Sequence, residues 1–217
     1  DQVYGFTGFS LGAYADYKYM KEKDSKRGCL AIKPKNINFE DATSAAFGGL
    51  LAIQFMDKTQ LNFDSKVLIY GASGTTGTFA IQYANSFGAE VTAVCSSLNK
   101  EFVKSLGADK VLDYTTYDSI NKLEKYDLVL DAVGKRKTSE LKKASMNALT
   151  STGKYISIDD EALQLNSERL NQITKLVEVG YIKPITDRVY NFEQIKEAHK
   201  YVETGHKRGN VAIIVNR

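Results

Sequence analysis

Val67-Leu-Ile-Tyr-Gly-Ala-Ser-Gly-Thr-Thr-Gly77 carries four strand-forming residues straight into a glycine-spaced turn. A helix-compatible segment, Thr78 to Phe87, follows it. A second β-like run, Glu90-Val-Thr-Ala-Val-Cys95, then completes a βαβ unit of the length expected for nucleotide binding. The glycines have separate jobs: one permits a sharp turn, one lets bare backbone approach a pyrophosphate, and one lets the helix pack closely on the strand. N–H groups at the helix start then face the anion, helped by the helix dipole. Gly71, Gly74 and Gly77 give G-x-x-G-x-x-G, with Ala72 where the first glycine of G-x-G-x-x-G would fall. Glycines at this spacing are weak by themselves; the strand–turn–helix context is what points to a dinucleotide.

Outward from this unit, strands and helices alternate. Strand 67–71, helix 76–87 and strand 90–95 are followed by helix 98–106, strand 110–113 and a short helix near 117–122. Strand 126–131, helix 137–149 and strand 154–158 continue the series. The alternation predicts an α/β fold of Rossmann type, a doubly wound parallel sheet with right-handed crossovers and a ligand beyond the carboxyl ends of the strands. Upstream, β-like runs at Gln2–Phe6, Gly12–Lys18 and Cys29–Ile32 surround a charged loop from Lys21 to Arg27. Ala42–Met56 reads as a buried helix with Gly48-Gly49 in its middle. Each of those glycines costs roughly 1 kcal/mol against Ala, which close packing on a helix or on a cofactor offsets. Downstream come helix 166–179, a β-like run 185–190, helix 192–204 and strand 210–215. The chain opens at Asp1-Gln-Val-Tyr-Gly, without an initiator Met and inside a β-like run, and reads as a piece of a longer protein.

A length of 217 residues is enough for a sizeable core in one to two domains. Twenty-nine basic against 26 acidic residues give a net charge of +3, dispersed along the chain. That balance suits a phosphate-bearing small molecule and does not call for nucleic acid. No apolar run approaches the roughly 20 residues a membrane helix needs, and no signal-peptide pattern is present. Cys29 and Cys95 lack local partners, which points to a reducing compartment, the cytoplasm. With only His199 and His206 beside them, a Cys/His zinc site is poorly supplied, and no metal is expected.

In a dinucleotide fold an acidic residue about 20 positions after the glycines holds the adenine ribose of NAD. Here the second strand runs into Ser96-Ser97-Leu98-Asn99-Lys100. The acid is absent. Two hydroxyls and a lysine would bind a 2′-phosphate, which a carboxylate would repel, so NADPH is expected over NADH. Ser96-Ser97 would also serve to cap helix 98–106, and both roles are compatible.

Six segments in order then resemble one family. They are Val3-Tyr-Gly with Gly12-Ala-Tyr-Ala-Asp-Tyr, Ala45-Ala-Phe-Gly-Gly-Leu-Leu-Ala52, Val67 to Gly74, Ser105-Leu-Gly-Ala-Asp-Lys-Val-Leu-Asp-Tyr114, Asp127-Leu-Val-Leu-Asp-Ala-Val-Gly134 and Gly205-His-Lys-Arg-Gly-Asn-Val211. Each is weak alone, but in this order and spacing the chain resembles the zinc-free medium-chain dehydrogenase/reductases of the quinone oxidoreductase (zeta-crystallin-like) family over nearly its whole length. The resemblance implies hydride transfer from NADPH to a quinone or activated enone, without zinc, by a homodimer joined through the edge of the nucleotide-binding sheet. It implies a partial GroES-like β-rich catalytic domain with a linking helix over 1–58, a Rossmann domain over 59–182 and a return to the catalytic domain over 183–217.

By the same resemblance, Gly74, Thr75, Thr76 and Gly77 would sit at the pyrophosphate. Ser96, Ser97 and Lys100 would surround the 2′-phosphate, with Tyr114 closing over it. Ala132, Val133 and Gly134 would line the nicotinamide side through backbone atoms, as would Ser157 and Ile158. Asn210 would reach the cofactor from the C-terminal return. Tyr114 as a core aromatic and Asn210 as a turn residue are the plainer readings. Three features depart from the family pattern. Leu51 replaces a threonine, Asp159-Asp160 stand where a glycine is usual, and the family's catalytic domain begins before residue 1.

No catalytic side chain stands out. Proton delivery to the acceptor would come from Tyr14, Tyr4 or solvent. Tyr14-x-x-x-Lys18 reads as strand alternation, and His199 and His206 as surface or turn residues. The competing reading is a non-catalytic NADPH-binding protein, redox-sensing or structural, of the same fold.

Overall fold

A computed structural model describes residues 1–8, 12–21, 28–135 and 138–215. Most of the charged loop read between Lys21 and Arg27, and the first residue of the helix read at 137–149, lie outside these described residues. In chain order the elements are β1 (Val3–Phe6), β2 (Cys29–Ile32), α1 (Phe39–Met56), β3 (Lys66–Tyr70), α2 (Thr75–Asn85) and β4 (Glu90–Cys95). Then come α3 (Lys100–Ser105), β5 (Lys110–Asp113), β6 (Tyr126–Asp131), α4 (Glu140–Met146) and β7 (Leu149–Ser157). The chain closes with α5 (Ser167–Glu178), β8 (Thr186–Asn191), α6 (Ile195–Glu203) and β9 (Asn210–Ile214). They fall into two compact units, Leu51–Ala162 on one side and Asp1–Leu50 with Leu163–Arg217 on the other.

The Leu51–Ala162 unit is built on a five-stranded parallel sheet in the order β5-β4-β3-β6-β7. Its strands read as continuous apolar runs because parallel strands are covered on both faces. Val67, Leu68 and Ile69 of β3 and Leu128, Val129 and Leu130 of β6 are fully buried. Residues Thr76 to Ala84 of α2 are buried without a break, so this helix is enclosed rather than amphipathic. The register aligns the carboxyl ends: Tyr70 stands beside Val94 and Asp131, Cys95 beside Asp113, and Asp131 beside Ser157. The strand order reverses at β3, which makes its carboxyl end the switch point where ligands of open α/β sheets bind.

Two boundaries differ from the reading of the sequence. The helix expected over 137–149 is confined to α4, because Ser139 accepts a capping bond from the Lys142 N–H and Asn147 ends the helix. The strand expected over 154–158 is longer: β7 takes in the polar Thr150-Ser-Thr-Gly153 stretch and passes an irregularity in its pairing with β6.

In the other unit β1 and β2 pair antiparallel, and α5 is fastened to them. The Tyr4 hydroxyl donates to the Leu170 carbonyl at 2.7 Å, and the Thr174 hydroxyl donates to the Ile32 carbonyl at 3.0 Å. α5 belongs to the same compact unit as β1 and β2. β8 and β9 form a parallel pair joined through α6. Gly12–Lys18 is not a strand. Its side chains are exposed apart from the half-buried Lys18, with Tyr17 at 92%, and no described strand pairs with it. Alternation without a partner edge does not make a sheet.

Candidate cofactor site

At the end of β3 the chain turns at Gly71, whose φ of +82° is a region that favours glycine. A Cβ there would stand 2.5 Å from Val133 Cγ2. The Val94 carbonyl accepts the N–H groups of both Gly71 and Ala72, and Gly74 N–H donates back to Gly71 O at 3.1 Å. Gly71 thus makes the sharp turn one residue earlier than the G-x-G-x-x-G pattern places it, and Ala72 is accommodated with its Cβ buried. Gly77 performs the packing role: a Cβ there would stand 2.7 Å from Ala72 Cα and clash outright with the Gly71 carbonyl oxygen.

Gly74 is different. Its φ is −85°, and an added Cβ would meet nothing nearer than Gly71 O at 3.4 Å. The fold therefore does not require glycine at 74, whereas close approach of a ligand would. Gly74 is also the N-cap of α2, with no side chain to cap the first N–H groups, and the first turn carries no acidic residue. The N–H groups at a helix start form the positive end of its dipole and point out of the helix toward any bound anion.

At the ends of β4 and β5, Ser96 is half-buried and Ser97 exposed. Ser96 makes no side-chain cap, so the capping role open to it in the sequence is not realised; α3 begins at Lys100. Asn99, which the reading of the sequence passed over, donates from Nδ2 to Ser73 Oγ at 3.2 Å and so links this turn to the glycine turn. Lys100 Nζ stands 3.4 Å from Asp113 Oδ2, with its side chain 41% exposed and the carboxylate buried. Burial pushes the Asp113 carboxyl up, but the Thr115 hydroxyl and N–H and the Lys100 ammonium outweigh this and hold it below its ordinary range. Lys100 is therefore anchored on one side and open on the other. Tyr114 is 46% exposed, its ring tilted 6.5 Å from that of Tyr70, so it is not a core aromatic. The Cys95 thiol is buried, and burial with the Asp113 charge pushes it up to about 11, which leaves it unreactive.

At the ends of β6 and β7, Ala132 and Val133 are half-buried while Gly134 is buried. Asp131 Oδ1 accepts the N–H groups of Val133 at 3.1 Å and Gly134 at 3.2 Å. Ser157 is fully buried, with its hydroxyl donating to Asp131 Oδ2 and its N–H donating to Asp160 Oδ2. Ile158 is half-buried and donates its N–H to Asp131 O. Asp159 and Asp160 have their own partners: Asp159 accepts from the Lys135 N–H, and Asp160 pairs with the Lys135 ammonium at 2.7 Å. Thr75 and Thr76 open α2 beside Gly77.

Asn210 lies in the other unit. There its side-chain amide donates to the Ser44 carbonyl at 2.9 Å, so it ties β9 to α1 and is more than a turn residue. Tyr4 is also in that unit; its hydroxyl is engaged by Leu170 and Thr174, and burial pushes its pKa up. Tyr14 is half exposed and shares a 3.1 Å hydrogen bond with Nε2 of the surface residue His199. Leu51 is buried in α1. Among the described residues no group of three or more His, Cys, Asp or Glu side chains is placed to hold a metal ion. No helix of the described residues is long and apolar enough to cross a membrane.

A parallel α/β unit with a glycine turn at its switch point and an uncapped helix start above it defines a dinucleotide-binding domain. Comparison with known proteins agrees and goes further. Two family models described as zinc-binding dehydrogenase match residues 75–179 and 157–213. The chain is 30% identical over 268 residues to the mitochondrial NAD(P)H oxidoreductase RTN4IP1 of Danio rerio, covering 92% of this chain and 68% of that protein. It is 31% identical over 209 residues to the 2-methylene-furan-3-one reductase of Solanum lycopersicum, covering 94% of this chain and 53% of the relative. The quinone oxidoreductase of Coxiella burnetii shares the fold with a TM-score of 0.75 at 26% identity, over 85% of this chain and 63% of that one. The chain belongs to the medium-chain dehydrogenase/reductase family of oxidoreductases, on its quinone oxidoreductase-like branch. It spans between about half and two thirds of the length of these relatives.

Proposed function

We propose that this chain binds NADPH across the carboxyl edge of its parallel sheet and serves hydride transfer to a quinone or activated enone without zinc. The observation that carries the reading is the convergence, in one unit, of the glycine turn, the Ser96–Lys100 turn, Tyr114 and the Ala132–Gly134 loop on that edge. The residues fit a dinucleotide, because Gly74 leaves open a position that the fold itself would allow a side chain to fill. Gly74, Thr75, Thr76 and Gly77 would hold the pyrophosphate. Ser96, Ser97 and Lys100 would hold the 2′-phosphate under Tyr114, and Ala132, Val133 and Gly134, with Ser157 and Ile158, would line the nicotinamide side through backbone atoms. Asn210 joins the proposal on family resemblance alone.

NADPH, when bound, would supply the hydride, and the protein would orient it and stabilise charge on the acceptor oxygen. Tyr4 holds its proton in a bond to Leu170, which leaves Tyr14 or solvent as the source of the acceptor's proton. Zinc independence is supported by the thin supply of soft ligands, since Cys29 and Cys95 are both buried, one in each unit. The names of the relatives support the enone and quinone classes of substrate. A cytoplasmic setting rests on the two free cysteines, and a homodimer on family resemblance. The domain division over 1–58, 59–182 and 183–217 is part of the same reading.

The test is NADPH oxidation by the full chain with an ortho-quinone and with an enone, each measured with and without a strong chelator. Turnover unchanged by the chelator is expected. Turnover abolished by the chelator and restored by zinc would overturn the zinc-free mechanism. NADPH binding without turnover on any acceptor would favour the non-catalytic reading.

A further inference from the structure

Beneath the Ala132–Gly134 loop lies a buried charge pair that the mechanism above does not use. Lys142 of α4 has a side chain only 5% exposed, and its Nζ lies 2.7 Å from Oδ2 of the fully buried Asp131. The same ammonium donates to the Gly134 carbonyl at 2.6 Å. Asp131 Oδ2 also accepts from the Tyr155 hydroxyl at 2.9 Å, and burial with the Asp131 charge pushes the Tyr155 pKa up, so this donor keeps its proton. Both main-chain groups of Gly134 are thus held, its N–H by Asp131 and its C=O by Lys142. The glycine itself has a φ of +85°, and a Cβ there would stand 2.5 Å from Asp159 Oδ2.

A buried ion pair is weak as a source of stability, because desolvating two charges offsets most of their attraction. What this pair fixes is the course of one loop. Ala132 N–H donates to Tyr70 O, and Val133 and Gly134 donate to Asp131. Every N–H of the loop is therefore engaged by the protein. The main-chain groups of Ala132 and Val133 left for a ligand are carbonyl oxygens, the complement of the amide N–H₂ of a nicotinamide carboxamide.

We propose that Asp131 and Lys142 are positioning residues: together they clamp the Gly134 peptide and so hold the Ala132 and Val133 carbonyls where the nicotinamide carboxamide is bound. This rests on the NADPH reading and deepens it. The clamp acts on the nicotinamide half of the cofactor and not on the adenine half, which is held at the ends of β4 and β5.

That division gives the test. The fluorescence of bound NADPH comes from its reduced nicotinamide ring and is excited outside the protein's own absorption, so it reports that half of the cofactor. Wild type, Lys142→Met, the charge-neutral double variant Asp131→Asn with Lys142→Met, and Tyr155→Phe are titrated with NADPH and with adenosine 2′,5′-bisphosphate, which lacks the nicotinamide. Both Lys142 variants are expected to weaken NADPH by about tenfold and to lose its fluorescence change, the size of one charged hydrogen bond. The bisphosphate should bind as to wild type. Tyr155→Phe removes one donor and should shift NADPH in the same direction by less. A merely structural role would weaken both ligands or neither, and either outcome in the double variant overturns the clamp. If wild type itself binds the bisphosphate but not NADPH, the clamp fails while the adenine site stands; if it binds neither, the cofactor reading fails and the clamp with it.

Discussion

Asp131→Ala is expected to destabilise the protein by about 3–5 kcal/mol, the cost of leaving one member of a buried ion pair uncompensated. The Lys142 ammonium would stay buried without its carboxylate, and the N–H groups of Val133 and Gly134 and the hydroxyls of Tyr155 and Ser157 would lose an acceptor at the same moment. Against a total stability of about 5–15 kcal/mol for a typical domain, this is a large fraction. Urea unfolding of the full chain reads it as a drop in midpoint. Adding Lys142→Met to Asp131→Ala should recover part of the loss, because the double change removes the stranded charge; the two substitutions would then be strongly non-additive. A single variant with a wild-type midpoint would mean that Asp131 is not the hub its hydrogen bonds describe.

The second large effect separates two glycines three residues apart. Gly77→Ala places a Cβ against the backbone of Gly71 and Ala72, where no flexible side chain can give way. Overpacking of this kind costs about 1–3 kcal/mol, and backbone against backbone puts it at the upper end. Gly74→Ala meets no such obstacle, since φ is −85° and the nearest atom to its Cβ is Gly71 O at 3.4 Å. Gly77→Ala is therefore expected to lower the unfolding midpoint markedly, whereas Gly74→Ala, which gives up only an N-cap glycine, should lower it far less while weakening NADPH binding. Equal loss of stability in both variants would remove the argument that Gly74 is reserved for a ligand.

The parallel sheet was legible because its strands are continuous apolar runs and the turn after β3 carries its glycines. Those signals are local. The site's supporting groups were not legible for the opposite reason. Asp131 finds its partners at Lys142, Tyr155 and Ser157, brought together only when α4 and β7 close on β6. Glu140-Leu-Lys-Lys-Ala-Ser-Met146 reads as a charged surface helix, and nothing local says that Lys142 turns inward while Lys143 stays out. One signal was available: a carboxylate closing an apolar strand, as in Leu128-Val-Leu-Asp131, must find a partner once buried. Gly12–Lys18 failed in the other direction, having the alternation of a strand without an edge to join. α5 carries its apolar positions at helical spacing, but those positions do not say which unit they cover.

Binding of a 2′-phosphorylated dinucleotide at this edge is read by titrating the full chain and its Lys100→Met variant with NADPH and with NADH. Wild type should prefer NADPH. Lys100→Met should weaken NADPH by roughly tenfold to a hundredfold, the loss of a charge-assisted contact, and leave NADH almost unchanged. Equal affinity of wild type for the two nucleotides, or an equal response of both to the loss of Lys100, would contradict it.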